Sequence, residues 1–586
     1  MPKRVAIAHG GLFAVAALFA AGGADAGPAA AAEATTCQQA DTGITLPEGF
    51  CATIFADGIG HARQLVVAPD GTVYVNTWSG VYYNNDKPPA GGFLVALKDS
   101  KGTGKADQVV RFGETAAEGG HGGTGIALYK DGLYAEINDR IVRYALKDGE
   151  LAPSAKPETI LRGMPVTGDH PMHPFAIDAD GNLLVSMGSA TNTCEVKNRM
   201  PHSPGNDPCT ELETRAGIWR YDANKRDQVF SPKERYASGI RNGEGFDFDA
   251  AGRLFVTQHG RDQLHENWPE LYSAEQGFEL PAEQVMILKQ GAWYGWPKCY
   301  FDPKQMKLVQ GPEYGGDGGK KTDACKEAEP PVAAFPAHWA PNDLKIYKGT
   351  QFPAAYRGGA FIAFHGSWNR APGPQGGYNV VFQPFADGKP SGGYVVFADG
   401  FAGAHKDPGR AAHRPSGLAV GPDGALYVSD DMAGRIWRIT YMGDGAEKGI
   451  EAAPKSSPHA EASPEVPPPE GIHPDAGAKL APPPGATQAQ VELGEKIFSG
   501  EAAGATCAGC HGAGGIGTPV GPDLTAGKWL WGDGSLKTLA ATIKSGVPEP
   551  KQHPGAMPPM GGVTLTEAEL NAVAAYVWAL GHRKGE

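Results

Sequence analysis

One pattern recurs six times before residue 431 and limits what this chain can fold into. A glycine turn is followed each time by a short run of alternating β-formers. The six are APDGTVYVNT from Ala68, YKDGLYAEI from Tyr129, DADGNLLVSM from Asp178, DAAGRLFVTQ from Asp249, YRGGAFIAF from Tyr356 and GPDGALYVSD from Gly421. Asp-Gly between alternating apolar runs is a strong hairpin signal. Six similar hairpins separated by uneven insertions predict six similar antiparallel sheets. Radial packing protects the edges of such sheets, so the expected fold is an all-β six-bladed propeller. A β-sandwich is the alternative, but it does not ordinarily need six like hairpins over so long a stretch. Glycine, at 83 of 586 residues, supplies the turns, and no Gly-X-Y period points to collagen.

The ends of the chain read differently. It begins MPKR, continues AIAHGGLFAVAALFAAGG and reaches Ala24-Asp25-Ala26. A basic start, a short apolar stretch and small residues at a cleavage point make residues 1–26 an expected signal peptide. The stretch carries His9 and is shorter than a membrane span of roughly 20 residues, so an anchor is the weaker reading. The mature chain is expected to be periplasmic or secreted, with no transmembrane segment. A formal net charge of −13 without a basic stripe argues against nucleic acid as a partner. Six of the eight cysteines fall in local pairs, Cys37 with Cys51, Cys194 with Cys209 and Cys299 with Cys325. Disulfides suit an exported chain, and each loop would contribute about 3 kcal/mol in the loop-entropy model.

Residues 443–485 hold ten prolines and read as an extended linker. It separates the propeller, residues 37–442, from a small C-terminal domain, residues 486–586. There the apolar spacing of VELGEKIF, SLKTLAATIKSG and LTEAELNAVAAYVWALGH is helical, and Thr566 with Glu569 fits a capping box. Cys507-Ala-Gly-Cys510-His511 is a CxxCH motif. Two thiols at this spacing can bind the two vinyl groups of one haem covalently, with His511 on the iron. A methionine sulfur is the expected sixth ligand. Met557 and Met560 both lie in GAMPPMGG ahead of the last helix. From Ala486 onward the chain resembles class I c-type cytochromes, whose ligand commonly begins a Met-Pro loop. That favours Met557 over Met560, and Pro522 in GPDL matches the loop on the histidine side.

The propeller carries no Gly-rich nucleotide fingerprint, no G-x-S-x-G elbow and no HExxH. Four clusters adjoin its repeated strands instead: GDHPMHP from Gly168, GIRNGEG from Gly239 leading to QHGRD, AFHGSWNR from Ala363, and AHRPSG from Ala412. Arginines there could clamp an anionic ligand through bidentate bonds. A histidine could take a proton from an alcohol.

GIRNGEGFDFDAAGRLFV, YGWPKCY from Tyr294, HGSWNRAPGPQGGY from His365 and RPSGLAVGPDGALYVSDD from Arg414 carry a resemblance. From about Leu46 to Tyr441 the chain resembles the soluble pyrroloquinoline-quinone (PQQ) dependent sugar dehydrogenases, in the sorbosone and pyranose dehydrogenase-like branch. The family oxidises a sugar carbon bearing a hydroxyl. A histidine takes the hydroxyl proton, and calcium polarises the quinone. The resemblance makes His170 the expected base, with His173 as the alternative. It places Arg241, Asn242 and Arg414 at the quinone, and the backbone carbonyls of Gly260 and Arg261 at the calcium. His121 falls near a family glutamine. An aspartate that orients the base in the glucose-type enzymes is replaced by Ser189. A lysine against the quinone is missing, with His365 or Arg370 as its expected substitute. The expected activity is therefore sugar oxidation by PQQ, with electrons passed to the chain's own haem c and then to a periplasmic cytochrome or terminal oxidase. The alternatives are a calcium-dependent propeller lactonase or other hydrolase, or a sugar-binding module, each with an accessory cytochrome.

Overall fold

The computed structural model describes residues 42–79, 89–115, 121–370, 373–443, 449–454 and 480–582, except 407, 409, 501, 504, 506, 516, 518–520, 554 and 555. The expected signal peptide, Cys37 and most of the expected linker lie outside these residues.

Six sheets follow one another in sequence, each built on four antiparallel strands, and the second gains a fifth, Gln228–Val229, paired in parallel at its outer edge. Each predicted hairpin supplies the first two strands of a blade, as in Ala62–Val67 with Val73–Thr77 or Pro415–Val420 with Leu426–Asp430. The turn aspartate is held by its own backbone. Asp178 Oδ1 accepts from the Asp180 and Asn182 amides, and Asp249 Oδ1 from Ala251 and Arg253. The last blade takes its outer strand from the start of the domain, where Phe50–Ala56 pairs with Ile436–Tyr441. This pairing closes the ring.

Period-2 alternation puts each strand's two faces into two different cores. Val73 and Val75 pack with Ala419 and Tyr427 of the sixth blade, whereas Tyr74 packs with Ile126 and Leu133 of the second. The same alternation around the ring produces six apolar cores, one between each neighbouring pair of blades. Polar residues recur at one repeat position and stitch blades together near the axis. Thr257 accepts from Gly245 of its own blade and donates to the Pro341 carbonyl of the next at 2.8 Å. Ser429, at the same repeat position, accepts from Gly417 and donates to the Arg63 carbonyl at 2.6 Å.

Two insertions are closed by Cys194–Cys209 and Cys299–Cys325, as expected. After the sixth blade the chain returns along the fifth, where the Ala453 amide bonds the Val396 carbonyl.

The C-terminal domain contains helices Gln488–Phe498, Cys507–His511, Leu536–Ser545 and Glu567–Gly581. The Thr566–Glu569 capping box is present, and Thr487 with Gln490 forms a second one. The first and last of these helices cross at Gly494. A Cβ there would stand 2.0 Å from the Ala572 carbonyl oxygen, so only glycine permits this approach. No helix among the described residues is long and apolar enough to cross a membrane.

Candidate functional site

In an antiparallel hairpin, the entry to the first strand and the exit from the second lie at the same end, opposite the turn. Blade topology therefore sends most of the expected residues to one face of the propeller. His170 precedes the inner strand of the third blade, Arg241 and Asn242 that of the fourth, and Arg414 that of the sixth. Ser189, Gly260 and His365 follow the second strands of the third, fourth and fifth blades.

His170 is buried, and its Nδ1 lies 3.0 Å from the Ser189 carbonyl and 2.9 Å from Ser189 Oγ. A bond to the carbonyl requires the proton on Nδ1. That leaves the lone pair on Nε2, for which no hydrogen bond is found among the described residues. Burial, with Arg241 and Arg199 nearby, holds the imidazole well below its ordinary pKa. Ser189 thus orients the histidine where an aspartate was missing from the sequence.

His173 is enclosed completely. Its Nδ1 faces Glu136 Oε1 at 3.2 Å and its Nε2 the Pro165 carbonyl at 2.9 Å. Both nitrogens meet acceptors, so neither has a lone pair open to a substrate. The expectation of His173 as an alternative base is corrected accordingly.

Arg241 is buried and donates to the Asn192 carbonyl and side chain, to Asp262 Oδ2 at 2.7 Å and to the Gly260 carbonyl at 2.7 Å. Burial pushes the Asp262 carboxyl up, but Arg241, His338 and Arg199 overcome this and leave it well below the carboxylate range. Arg199 also bonds Asp169, the neighbour of His170, at 2.9 Å. It therefore links the loop of His170 to Asp262, the partner of Arg241. The Gly260 carbonyl accepts from Arg241 but has a second lone pair, and no hydrogen bond to the Arg261 carbonyl is found among the described residues, so the two carbonyls could hold calcium. The Arg261 side chain is buried against Glu313 at 2.5 Å.

His365 Nε2 lies 2.8 Å from Asp431 Oδ1, and burial with Arg414 nearby brings the imidazole down to about 4. Arg414 donates to the His365 and Gly366 carbonyls and stands over the Tyr378 ring. No ion pair from Arg414 to a carboxylate is found among the described residues, so its charge is available to an anionic ligand. That fits the carboxylates of PQQ. Arg370 does not join this group. It donates to Pro374, Phe278, Ala337 and Glu279 and ties loops together, with four of its five N–H groups engaged. His121 is exposed on the neighbouring first-blade loop, where its carbonyl accepts from the Ser79 amide.

The site also gathers residues to which the sequence assigned no role. His259 lies between Asn242 and the Pro341 carbonyl, and burial with Arg241 nearby brings it down to about 3. Asp262, Arg199, Asp431 and Arg63 complete the ionic network. QHGRD was singled out as a string, but no spacing rule says that its last residue would anchor the arginine of GIRN.

In the C-terminal domain, Cys507, Cys510, His511 and Met557 line one cavity with Leu524 and Trp529. His511 Nδ1 bonds the Pro522 carbonyl at 3.0 Å, which turns Nε2 away as a metal ligand. Met560 is not part of the lining, and its sulfur accepts from the Leu565 amide at 3.4 Å. An apolar cavity with two cysteines, a tethered histidine and a thioether fits a haem.

Fold and site together define a PQQ sugar dehydrogenase-like propeller that carries a cytochrome c domain. The chain belongs to the TrAA12-like family, whose model matches residues 44–442. A second model, cytochrome c oxidase, cbb3-type, subunit III, matches residues 489–577. The chain is 30% identical over 232 residues to a pyrroloquinoline quinone-dependent pyranose dehydrogenase of Coprinopsis cinerea, covering 35% of this chain and 31% of that protein. It is 43% identical over 77 residues to the cbb3-type cytochrome c oxidase subunit FixP of Rhizobium etli, covering 13% of this chain and 26% of that one. The chain spans about half or less of the curated relatives it matches. The PQQ domain of the Coprinopsis pyranose dehydrogenase has the same fold, with TM-score 0.53 and 20% identity over 68% of this chain and 97% of that one. A Trichoderma reesei family AA12 enzyme matches with TM-score 0.54 and 18% identity, over the same shares.

Proposed function

We propose that the protein is an exported quinohaemoprotein dehydrogenase that oxidises a sugar of the aldose, pyranose or sorbosone type. PQQ bound at the propeller face would supply the two-electron acceptor, and electrons would then pass singly to a covalently attached haem c. The observation that carries this reading is the arrangement of His170. It is a buried, neutral imidazole with its lone pair open, held beside Arg241 on the face that also presents Arg414.

The chain's own residues divide the work. Ser189 fixes the tautomer of His170, so Nε2 can accept the proton of a substrate hydroxyl. Arg414 and Asn242 would hold the anionic cofactor, while Asp262 and Arg199 keep Arg241 in place. His511 and Met557 would ligate the iron, and Cys507 and Cys510 would attach the haem. The carbonyls of Gly260 and Arg261 would hold calcium, which would polarise the quinone. The TrAA12-like match, the PQQ pyranose dehydrogenase relative and the expected export signal support the reading. The downstream acceptor is a periplasmic cytochrome or terminal oxidase.

Titration of the haem-loaded protein with PQQ tests the cofactor directly. We expect saturable quenching of tryptophan fluorescence at one PQQ per chain, weakened at least tenfold by Arg414→Leu. No saturable binding, with and without calcium, would remove the reading.

A further inference from the structure

Glu244 lies on the inner strand of the fourth blade, two residues after Asn242, and is fully buried. Its Oε1 accepts from Asn242 Nδ2 at 3.2 Å. Its Oε2 is buried and accepts no hydrogen bond among the described residues, and Arg63 Nη2 stands off at 3.8 Å. Glu283 of the same blade provides the contrast. It is equally buried, but its oxygens accept from the Gly260 and Ala340 amides at 2.8 and 3.0 Å. Burial raises Glu283 to about 7 as well, but both its oxygens accept amide hydrogen bonds, whereas Glu244 has an oxygen that a proton would complete. An unsatisfied buried carboxylate oxygen is costly, and protonation removes much of that cost.

The other groups around Glu244 are divided. Arg63 of the first blade favours its charge but is itself drawn to Asp431 at 2.7 Å. Gln64 of the same strand donates to the Glu244 carbonyl. Glu136 of the second blade and Asp343 of the fifth oppose the charge. Burial, with these two carboxylates, raises Glu244 to about 7 against Arg63 and Asn242.

Oxidising a sugar hydroxyl to a carbonyl breaks one O–H and one C–H bond and releases two electrons and two protons. The quinone accepts both electrons. The haem removes them one at a time and takes no proton, so two protons remain to leave a buried site. We propose that Glu244 is the proton-holding group of this site, carrying one of those protons on Oε2 until the electrons have left for the haem. This rests on the PQQ reading above.

Infrared spectroscopy of the full, haem-loaded chain tests it. Without PQQ, we expect protonated-carboxyl C=O absorption that grows as the pH falls through neutrality, with a component that is lost in Glu244→Gln and kept in Glu283→Gln. With PQQ bound, reduction by sugar should increase that band, and a pH dye should record one more proton released to solution in Glu244→Gln than in the wild type. A band indifferent to Glu244→Gln overturns the proposal. So does a band unchanged on reduction, even where PQQ and sugar together still reduce the haem. If PQQ does not bind, the underlying reading has failed and the coupling falls with it, while the titration without PQQ still reports where Glu244 ionises.

Discussion

A single bond decides how His170 can work. Its Nδ1 faces Ser189, so the neutral ring has its lone pair on Nε2. His170→Asn should lower turnover by about 10²–10⁴-fold, with PQQ binding intact in the fluorescence titration. The acid limb of the wild-type rate tests the electrostatics. A base works only when unprotonated, and this imidazole is held well below its ordinary value by burial, Arg241 and Arg199. Activity should therefore persist as pH falls through the usual histidine range and decline only below it. A limb at the ordinary histidine value that persists in Glu244→Gln would show that Nε2 of His170 is not the base. At this scale the sequence was partly legible. The strings holding His170, Arg241 and Arg414 stood out, because histidine and arginine beside repeated strands carry recognisable chemistry. The resemblance put His170 ahead of His173, but the residues themselves did not show why. That choice depends on Glu136 and Pro165, which reach His173 from elsewhere in the fold. Arg370 misled for a similar reason, since its four acceptors come from residues 278, 279, 337 and 374.

At the scale of elements, the hairpin is the unit that made this protein readable. Its turn residues and alternation are local, so all six inner hairpins were visible in the sequence. Outer strands such as Glu158–Arg162 and Arg235–Ser238 lack that punctuation and emerge only from pairing. Closure by Phe50–Ala56 is similarly nonlocal. The haem domain shows the same division. CxxCH and the capping box are local and were read directly, whereas the crossing at Gly494 depends on a helix some 80 residues away. The Met-Pro loop lies between these cases, because two methionines three residues apart share one string. Met557 lines the cavity and Met560 bonds the Leu565 amide. Met557→Ala should abolish the methionine–iron charge-transfer band and lower the haem potential. Met560→Ala should retain the band while reducing stability. Loss of the band in Met560→Ala alone would reverse the assignment.

At the scale of the whole molecule, the account joins a two-electron site to a one-electron carrier through a proline-rich stretch. A tether of this kind raises the effective concentration of one partner near the other and makes transfer independent of protein concentration. The central claim is that sugar electrons reach the chain's own haem through PQQ. The most direct measurement starts from oxidised, haem-loaded protein, adds calcium and PQQ, then adds a panel of aldoses, and follows the reduced-haem α-band by stopped flow. The account predicts rapid reduction that requires PQQ and sugar together, at a rate that does not change when the protein is diluted. A haem that chemical reductant reduces but no sugar reduces in the presence of bound PQQ would contradict it.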